Sequence, residues 1–370
     1  LSPAELRIQC PLKWHAQLPK NGIALGMADV DYEGPMGITE FIKSRIDESF
    51  SFYQSQIGEE PALTAIIDFF NKKHISVESS NLQIIPGTMM GIHVAMKLAS
   101  RKEEKTILTL GPIYEPIHKH ATENNNLIKW YDIDERLDVD KLNETITQDT
   151  KMIAICNPTN PIGYTFIRSE IKAIQDLVVD NDLICFSDEL YEPLVFSEPH
   201  TSVLEFEELK ERSIVLYGFS KAYGLAGYRS GFIHAGSGLI EDIRGICNSL
   251  LVSPSPVASL VCEFALTDNR SKEWVKNFRS QMKHNTSIAA NIFKKNGYPC
   301  RTPTSCFFVY PDLKTDDIEF VPRLLNNQGV QVVEGSHFGP AGRNHIRINC
   351  GTSEDRLIEG INRILSELQR

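Results

Sequence analysis

Lys221 is the residue whose type and setting are hardest to explain by packing alone. It lies in the run Gly218-Phe219-Ser220-Lys221-Ala222-Tyr223-Gly224-Leu225-Ala226-Gly227-Tyr228-Arg229, and an apolar, strand-like stretch from Ser213 to Tyr217 leads straight into it. An amine delivered at the end of a buried strand, with a hydroxyl beside it and a guanidinium further along, suits a lysine that forms a Schiff base with an aldehyde cofactor. A solvated lysine in a Gly-rich turn is the plainer reading, and the segment by itself leaves both open.

Pyridoxal 5'-phosphate is the aldehyde whose other needs the chain can meet. Its ring nitrogen must stay protonated for the ring to accept electrons, and a buried carboxylate such as Asp188 does that by charge pairing. Its phenolic oxygen wants hydrogen-bond donors, and Asn160 and Tyr191 both follow strand-like runs. Its phosphate suits the free N–H groups of a helix start at Gly87-Thr88-Met89. Ser220 adds a hydroxyl and Arg229 a fork of donors for the same anion. Tyr114, just after Gly111-Pro112, is placed to lay an aromatic face on the ring. A substrate α-carboxylate needs a cation of its own, and Arg347 alternates with apolar neighbours in Ile346-Arg347-Ile348-Asn349. Each residue also has a plainer role: a helix cap for Asp188, turn chemistry for Asn160 between two prolines, packing for Tyr191 and Tyr114, and a sheet-face ion pair for Arg347.

The elements that would position these groups follow from the apolar pattern. Thr106 to Leu110, Met152 to Cys156, Leu183 to Ser187 and Ile214 to Tyr217 are short, nearly continuous apolar runs, with helical spacing between some of them, as in Arg168 to Val179. That rhythm predicts a parallel sheet buried on both faces, whose ligands bind beyond the carboxyl ends of the strands. Ile38 to Phe50, Pro61 to Phe70 and Thr88 to Ser100 read as helices before the sheet. After Ser253-Pro254-Ser255-Pro256 the pattern shifts to helices over Val257 to Leu266 and Trp274 to Lys295. Short strands near Cys306 to Tyr310, Val330 to Val333 and His345 to Asn349 follow, and then a closing amphipathic helix over Asp355 to Leu368.

The totals narrow the function classes. A chain of 370 residues suggests two unequal domains. A net charge of −10 opposes broad affinity for nucleic acid or an anionic membrane, so an anionic ligand needs a local cationic pocket. Eight scattered cysteines without Cys-x-x-Cys spacing, and no apolar signal-like run over Leu1 to Lys20, favour reduced thiols and a cytoplasmic setting. No stretch is long and apolar enough to span a membrane. Gly236-Ser237-Gly238 lacks a third glycine for dinucleotide binding, and His118-Lys119-His120 lacks further ligands, so no metal site is expected.

Together the motifs resemble the class I/II aminotransferases, pyridoxal-phosphate enzymes of fold type I. Asn157-Pro158-Thr159-Asn160-Pro161-Ile162-Gly163, Asp188-Glu189-Leu190-Tyr191-Glu192-Pro193, Ser220-Lys221 through Arg229, and Ile346-Arg347-Ile348-Asn349 carry the likeness, which runs from about Ala24 to Ile364. The resemblance implies an α/β fold with a large domain, a mostly parallel seven-stranded sheet between helices, and a smaller α+β domain. Residues 1–45 would contribute to the small domain, 46–255 would form the large cofactor-binding domain, and 256–370 the small C-terminal domain. It implies Lys221, Asp188 and Tyr191 as catalytic residues. Gly87, Thr88, Met89, Tyr114, Asn160, Ser220 and Arg229 would join them at the cofactor, and Arg347, Asn160 and Ala28 would meet the substrate. Tyr53 would reach the phosphate of a neighbouring subunit, which implies a homodimer with shared sites. The partners expected are an amino acid and a 2-oxo acid. Gly218 departs from the pattern, standing where many members have a phosphate-binding serine, and Ile162 replaces a usual threonine. Met27-Ala28-Asp29-Val30-Asp31-Tyr32, with Trp14 upstream and Phe338-Gly339-Pro340-Ala341-Gly342 downstream, is similar to the MalY/PatB cystathionine β-lyase subgroup. Three functions are therefore expected to compete: transamination foremost, C–S β-elimination, and a non-catalytic cofactor-binding regulatory role.

Overall fold

The structure is a computed structural model and describes residues 1–15, 17–46, 48–101, 106–197 and 199–370. Its centre is a seven-stranded sheet. In chain order its strands are β1 (Leu82–Ile85), β2 (Thr106–Gly111), β3 (Leu127–Asp132), β4 (Thr150–Cys156), β5 (Ile184–Asp188), β6 (Ser213–Gly218) and β7 (Gly231–Ala235). The spatial order is β1-β7-β6-β5-β4-β2-β3. Only β7 runs against its neighbours, pairing antiparallel with both β1 and β6. The carboxyl ends of the other strands therefore share one edge.

The four apolar runs become β2, β4, β5 and β6 because both of their faces are covered. In β4, Met152, Ala154 and Cys156 enter one core cluster, while Ile153 and Ile155 enter the other. The first cluster is closed by helices Thr88–Ala99, Glu115–Glu123 and Ile240–Leu250; the second includes residues of Glu60–Asn71, Arg168–Asp180 and Pro256–Thr267. A strand buried on both faces loses the polar alternation of a half-exposed one, which is why these runs stand out in the sequence. Three strands were not anticipated. β3 is an edge strand with mostly partly exposed residues, β1 is only four residues long, and β7 carries a glycine and a buried histidine, His234.

The expected helix over Ile38 to Phe50 stops at Arg45, and a 3₁₀ turn follows at Glu48–Ser51. The C-terminal part is built on the long helix Asn269–Lys295, whose start is capped by the Asp268 carboxylate accepting from Arg270 N at 2.8 Å. Helix Glu354–Leu368 buries Leu357, Ile361, Ile364 and Leu365 along one stripe. A small three-stranded sheet joins Phe308–Val309, Ile346–Asn349 and Val333–Glu334. Ile23 and Leu25 pack into the same cluster as these elements, so the N-terminal segment returns to the C-terminal core. All eight cysteines are free thiols. Among the described residues no helix is long and apolar enough to cross a membrane.

Candidate active site

The shared edge of the sheet delivers the site's groups from successive strands. After β4 the chain turns at Asn157, whose side chain is clamped on both sides: Nδ2 donates to Thr201 O at 3.0 Å and Oδ1 accepts from Phe166 N at 3.3 Å. Thr159 Oγ1 donates back to Cys156 O, and Asn160 is thereby presented, almost fully buried. β5 ends at Asp188, which is 1% exposed and accepts from the Leu190 amide at 3.2 Å. Tyr191 follows, buried with its ring edge-on to Phe307 and Phe308. β6 ends at Gly218, and the next turn carries Ser220 and Lys221.

β1 and β2 supply the rim. Gly87 caps helix Thr88–Ala99 with φ of 87°, a backbone conformation that favours glycine. A Cβ there would lie 2.5 Å from Arg229 Nη2, so the missing side chain lets the guanidinium rest against the helix start. Arg229 itself adopts the left-handed conformation, with φ of 56°, and Nη1 donates to Ala226 O. Tyr114 is the N-cap of helix Glu115–Glu123. Thr88, Met89, Tyr114, Asn160, Asp188, Tyr191, Ser220, Lys221 and Arg229 line one cavity of about 90 Å³, together with Leu190 and Ala226. A wider cleft of about 1020 Å³ near Lys73, Glu192 and His200 contains none of the expected site residues, so size does not mark the chemistry here.

Burial dominates the electrostatics. It pushes the Lys221 amine down to about 8; Arg347 and Arg229 act in the same direction, while Asp29 and Asp188 oppose them. It pushes the Asp188 carboxyl up to about 7, with the Glu189 charge adding, while the Leu190 amide and Lys221 pull it down. The Tyr114 hydroxyl is raised to about 12 and that of Tyr191 well above its usual value, again by burial first. Lys221 Nζ donates to the carbonyl of Ala28.

Arg347 enters from the C-terminal sheet. It is 5% exposed, with Nη1 donating to Asn160 Oδ1 at 3.1 Å and Nη2 to Gly26 O at 2.8 Å. Its guanidinium carbon sits 4.6 Å from the ring centre of Phe308 and 5.0 Å from that of Phe338. Nε has no partner, and among the described residues no carboxylate pairs with it. The sheet-face ion pair weighed from the sequence is therefore absent among those residues. A buried, uncompensated cation is costly unless something anionic binds it.

The structure thus brings together every expected residue of the cofactor and substrate set except one. Tyr53 is 82% exposed and stands apart from this cavity. Ala28 reaches the site through its carbonyl. At Gly218 a Cβ would lie 2.5 Å from Thr88 Cγ2 and 2.9 Å from Leu190 Cδ1, so these two side chains take the space a serine there would need. Sequence reasoning missed Leu190 and Ala226 in the cavity wall and Phe308 and Phe338 around Arg347, because apolar side chains at such positions carry no signal beyond packing.

The donor set fits pyridoxal phosphate. Asp188 is a dry carboxylate without a bonded cation, and Tyr191 Oη and Ser220 Oγ bond to no protein atom among the described residues. The glycine-opened helix start with Arg229 beside it is a cradle for an anion. The family model for class I and II aminotransferases matches residues 20–364. An aspartate aminotransferase of Pyrococcus abyssi is 29% identical, over 93% of this chain and 91% of its own. Aromatic-amino-acid aminotransferase 2 of Thermococcus litoralis is 28% identical, over 98% of this chain and 95% of its own. The crystal structure of an aromatic aminotransferase from Pyrococcus horikoshii superposes with a TM-score of 0.89 at 27% identity, covering 95% of this chain and 97% of that one. The chain belongs to the class I and II aminotransferases, a family of pyridoxal-phosphate enzymes.

Proposed function

We propose that the chain moves the α-amino group of an amino acid to a 2-oxo acid by a ping-pong mechanism, with Lys221 as the proton carrier. Bound at this site, pyridoxal phosphate supplies an aldehyde to take the amine and a ring to take up the electrons of the Cα–H bond. Lys221 Nζ would hold the aldehyde, and its amine, when free, would carry the proton taken from the substrate Cα. Its lowered pKa of about 8 serves this role, because a base titrating near the working pH is present in its neutral form when needed.

The neighbours have separate tasks. Asp188 keeps the ring nitrogen protonated, and that charge in turn favours its ionised form. Asn160 and Tyr191 bind the phenolic oxygen, and Tyr114 covers the ring. Gly87, Thr88, Met89, Ser220 and Arg229 hold the phosphate through backbone N–H groups, hydroxyls and the guanidinium. Arg347 takes the α-carboxylate, with Asn160 and Ala28 beside it. Exposed Tyr53 reaches the phosphate of the partner subunit in a homodimer of cytoplasmic type, built from a large domain over 46–255 and a small one over 256–370 with residues 1–45.

The observation that carries this reading is the meeting of Lys221, Asp188 and Arg347, a base and two charge partners drawn from three separate elements. Among the described residues of one chain, the cations at the cavity are Lys221, Arg229 and Arg347, each already assigned, while Met89, Tyr114, Leu190 and Phe338 line or flank it. This favours substrates with apolar or aromatic side chains over dicarboxylates. The test is a panel of amino acids added singly to the holoenzyme. Phenylalanine or leucine should convert the cofactor's absorbance to that of its amine form, with aspartate at least about tenfold poorer, a difference of about 1.4 kcal/mol. Release of pyruvate and ammonia from cystathionine without a 2-oxo acid would instead establish β-elimination.

A further inference from the structure

Five consecutive carbonyls, from Leu25 to Asp29, form a polar rail between the two working cations. Leu25 O accepts from Asn349 N, and Gly26 O from Arg347 Nη2. Met27 O accepts from Asn349 Nδ2 at 2.5 Å, and Ala28 O from Lys221 Nζ. Asp29 O accepts from both Asn349 Nδ2 at 2.6 Å and Lys13 Nζ at 3.0 Å. The segment has little regular structure of its own, since its strand stops at Ala24. Side chains from elsewhere must therefore set its path.

At its far end sits Lys13, with a wholly buried side chain, paired with Asp31 at 2.8 Å. Asp31 Oδ1 also accepts from Trp14 Nε1 at 2.9 Å, and Oδ2 accepts from Arg356 Nη1 at 3.0 Å. The carboxylate is thus fully committed and joins the N-terminal segment, the rail and helix Glu354–Leu368. A buried ion pair of this kind is weak evidence for stability, because desolvation offsets much of the attraction; its best-attested use is to fix register. We propose that the Lys13–Asp31 pair fixes the register of the Leu25–Asp29 carbonyls and thereby the placement of the Arg347 guanidinium. Lys13 and Asp31 are positioning residues for the substrate carboxylate. This rests on the reading of Arg347 as the carboxylate clamp.

Two oxyamines separate positioning from general damage. Aminooxyacetate and methoxyamine carry the same nucleophile, and only the first has a carboxylate. Each is mixed with the holoenzyme, and the loss of the lysine-bound cofactor band is timed. In the native enzyme aminooxyacetate should react faster. Lys13→Met should lower the ratio of the two rates roughly tenfold while leaving the methoxyamine rate within about twofold, because small misplacements of a binding group cost rate steeply. Asp31→Asn keeps shape and one acceptor; it should lower the ratio in the same direction, and it carries the test if Lys13→Met does not fold. A native preference retained in full by the variants overturns the role of the pair. No preference in the native enzyme faults the Arg347 reading instead.

Discussion

The two halves of the site are built in opposite ways. Asp188 is the last residue of β5, and Asn160 and Lys221 stand on the turns that follow β4 and β6, so regular sheet structure places them. Arg347 stands inside a strand of only four residues, Ile346–Asn349, and is held by two aromatic rings and two carbonyl-type acceptors. The first half borrows its precision from ladders of backbone hydrogen bonds. The second depends on side chains and on an irregular segment that must be held in place. A ligand that spans both is thus gripped by one rigid wall and one wall whose position depends on its supports.

That contrast can be broken most sharply at Arg347. Arg347→Leu should raise the amino-acid concentration for half-conversion about 10²-fold, the scale for losing one partner of a buried charge pair. Affinity for the cofactor should change little, since Arg347 lies outside the phosphate cradle. Equal losses of cofactor and substrate binding, measured by equilibrium titration of each, would mean that the halves are not separable.

The strand-end half has its own signature in pH. In the cofactor-free protein Asp188 titrates near 7 rather than at its ordinary 3.8. Between those values the native state holds a proton that the unfolded chain has released. Stability should therefore fall as pH rises from about 4 to about 7 and then level off. Asp188→Asn cannot titrate, so urea midpoints at pH 5 and pH 7 should lie closer together in that variant than in the native protein. An unchanged gap would show that the Asp188 carboxyl is better solvated than its burial implies.

The smallest effect concerns packing inside the rigid half. Gly218→Ser puts a Cβ within 2.5 Å of Thr88 Cγ2 and should cost about 1–3 kcal/mol of stability. Thr88→Ser, which removes that methyl but leaves Leu190 Cδ1 at 2.9 Å, should recover part of the loss when the two changes are combined. Additive losses in the double variant would show that the two positions have not exchanged space.

Legibility in the sequence follows the same division. Lys221, Asp188, Asn160 and Tyr191 could be found because each follows an apolar run long enough to read as a buried strand, and the strand ends in the structure lie within two residues of those runs. Arg347 was ambiguous, because a lone arginine on a strand face more often has an acidic partner; only the fold shows that the described residues supply none. β3 was hidden by its exposed edge. The carbonyl rail was invisible, since backbone acceptors leave no trace in side-chain types, and nothing in the residue type of Lys13 announces that its side chain is wholly buried. Tyr53 is exposed in the single chain and apart from the cavity, so the role proposed for it requires a second copy of the chain.

The central claim is that Lys221 carries the cofactor and the proton. Borohydride reduction of the purified holoenzyme, followed by proteolysis and mass spectrometry, tests it directly. The phosphopyridoxyl group should be found on Lys221 and on no other lysine; its recovery on a different lysine, with Lys221 unmodified, would contradict the account.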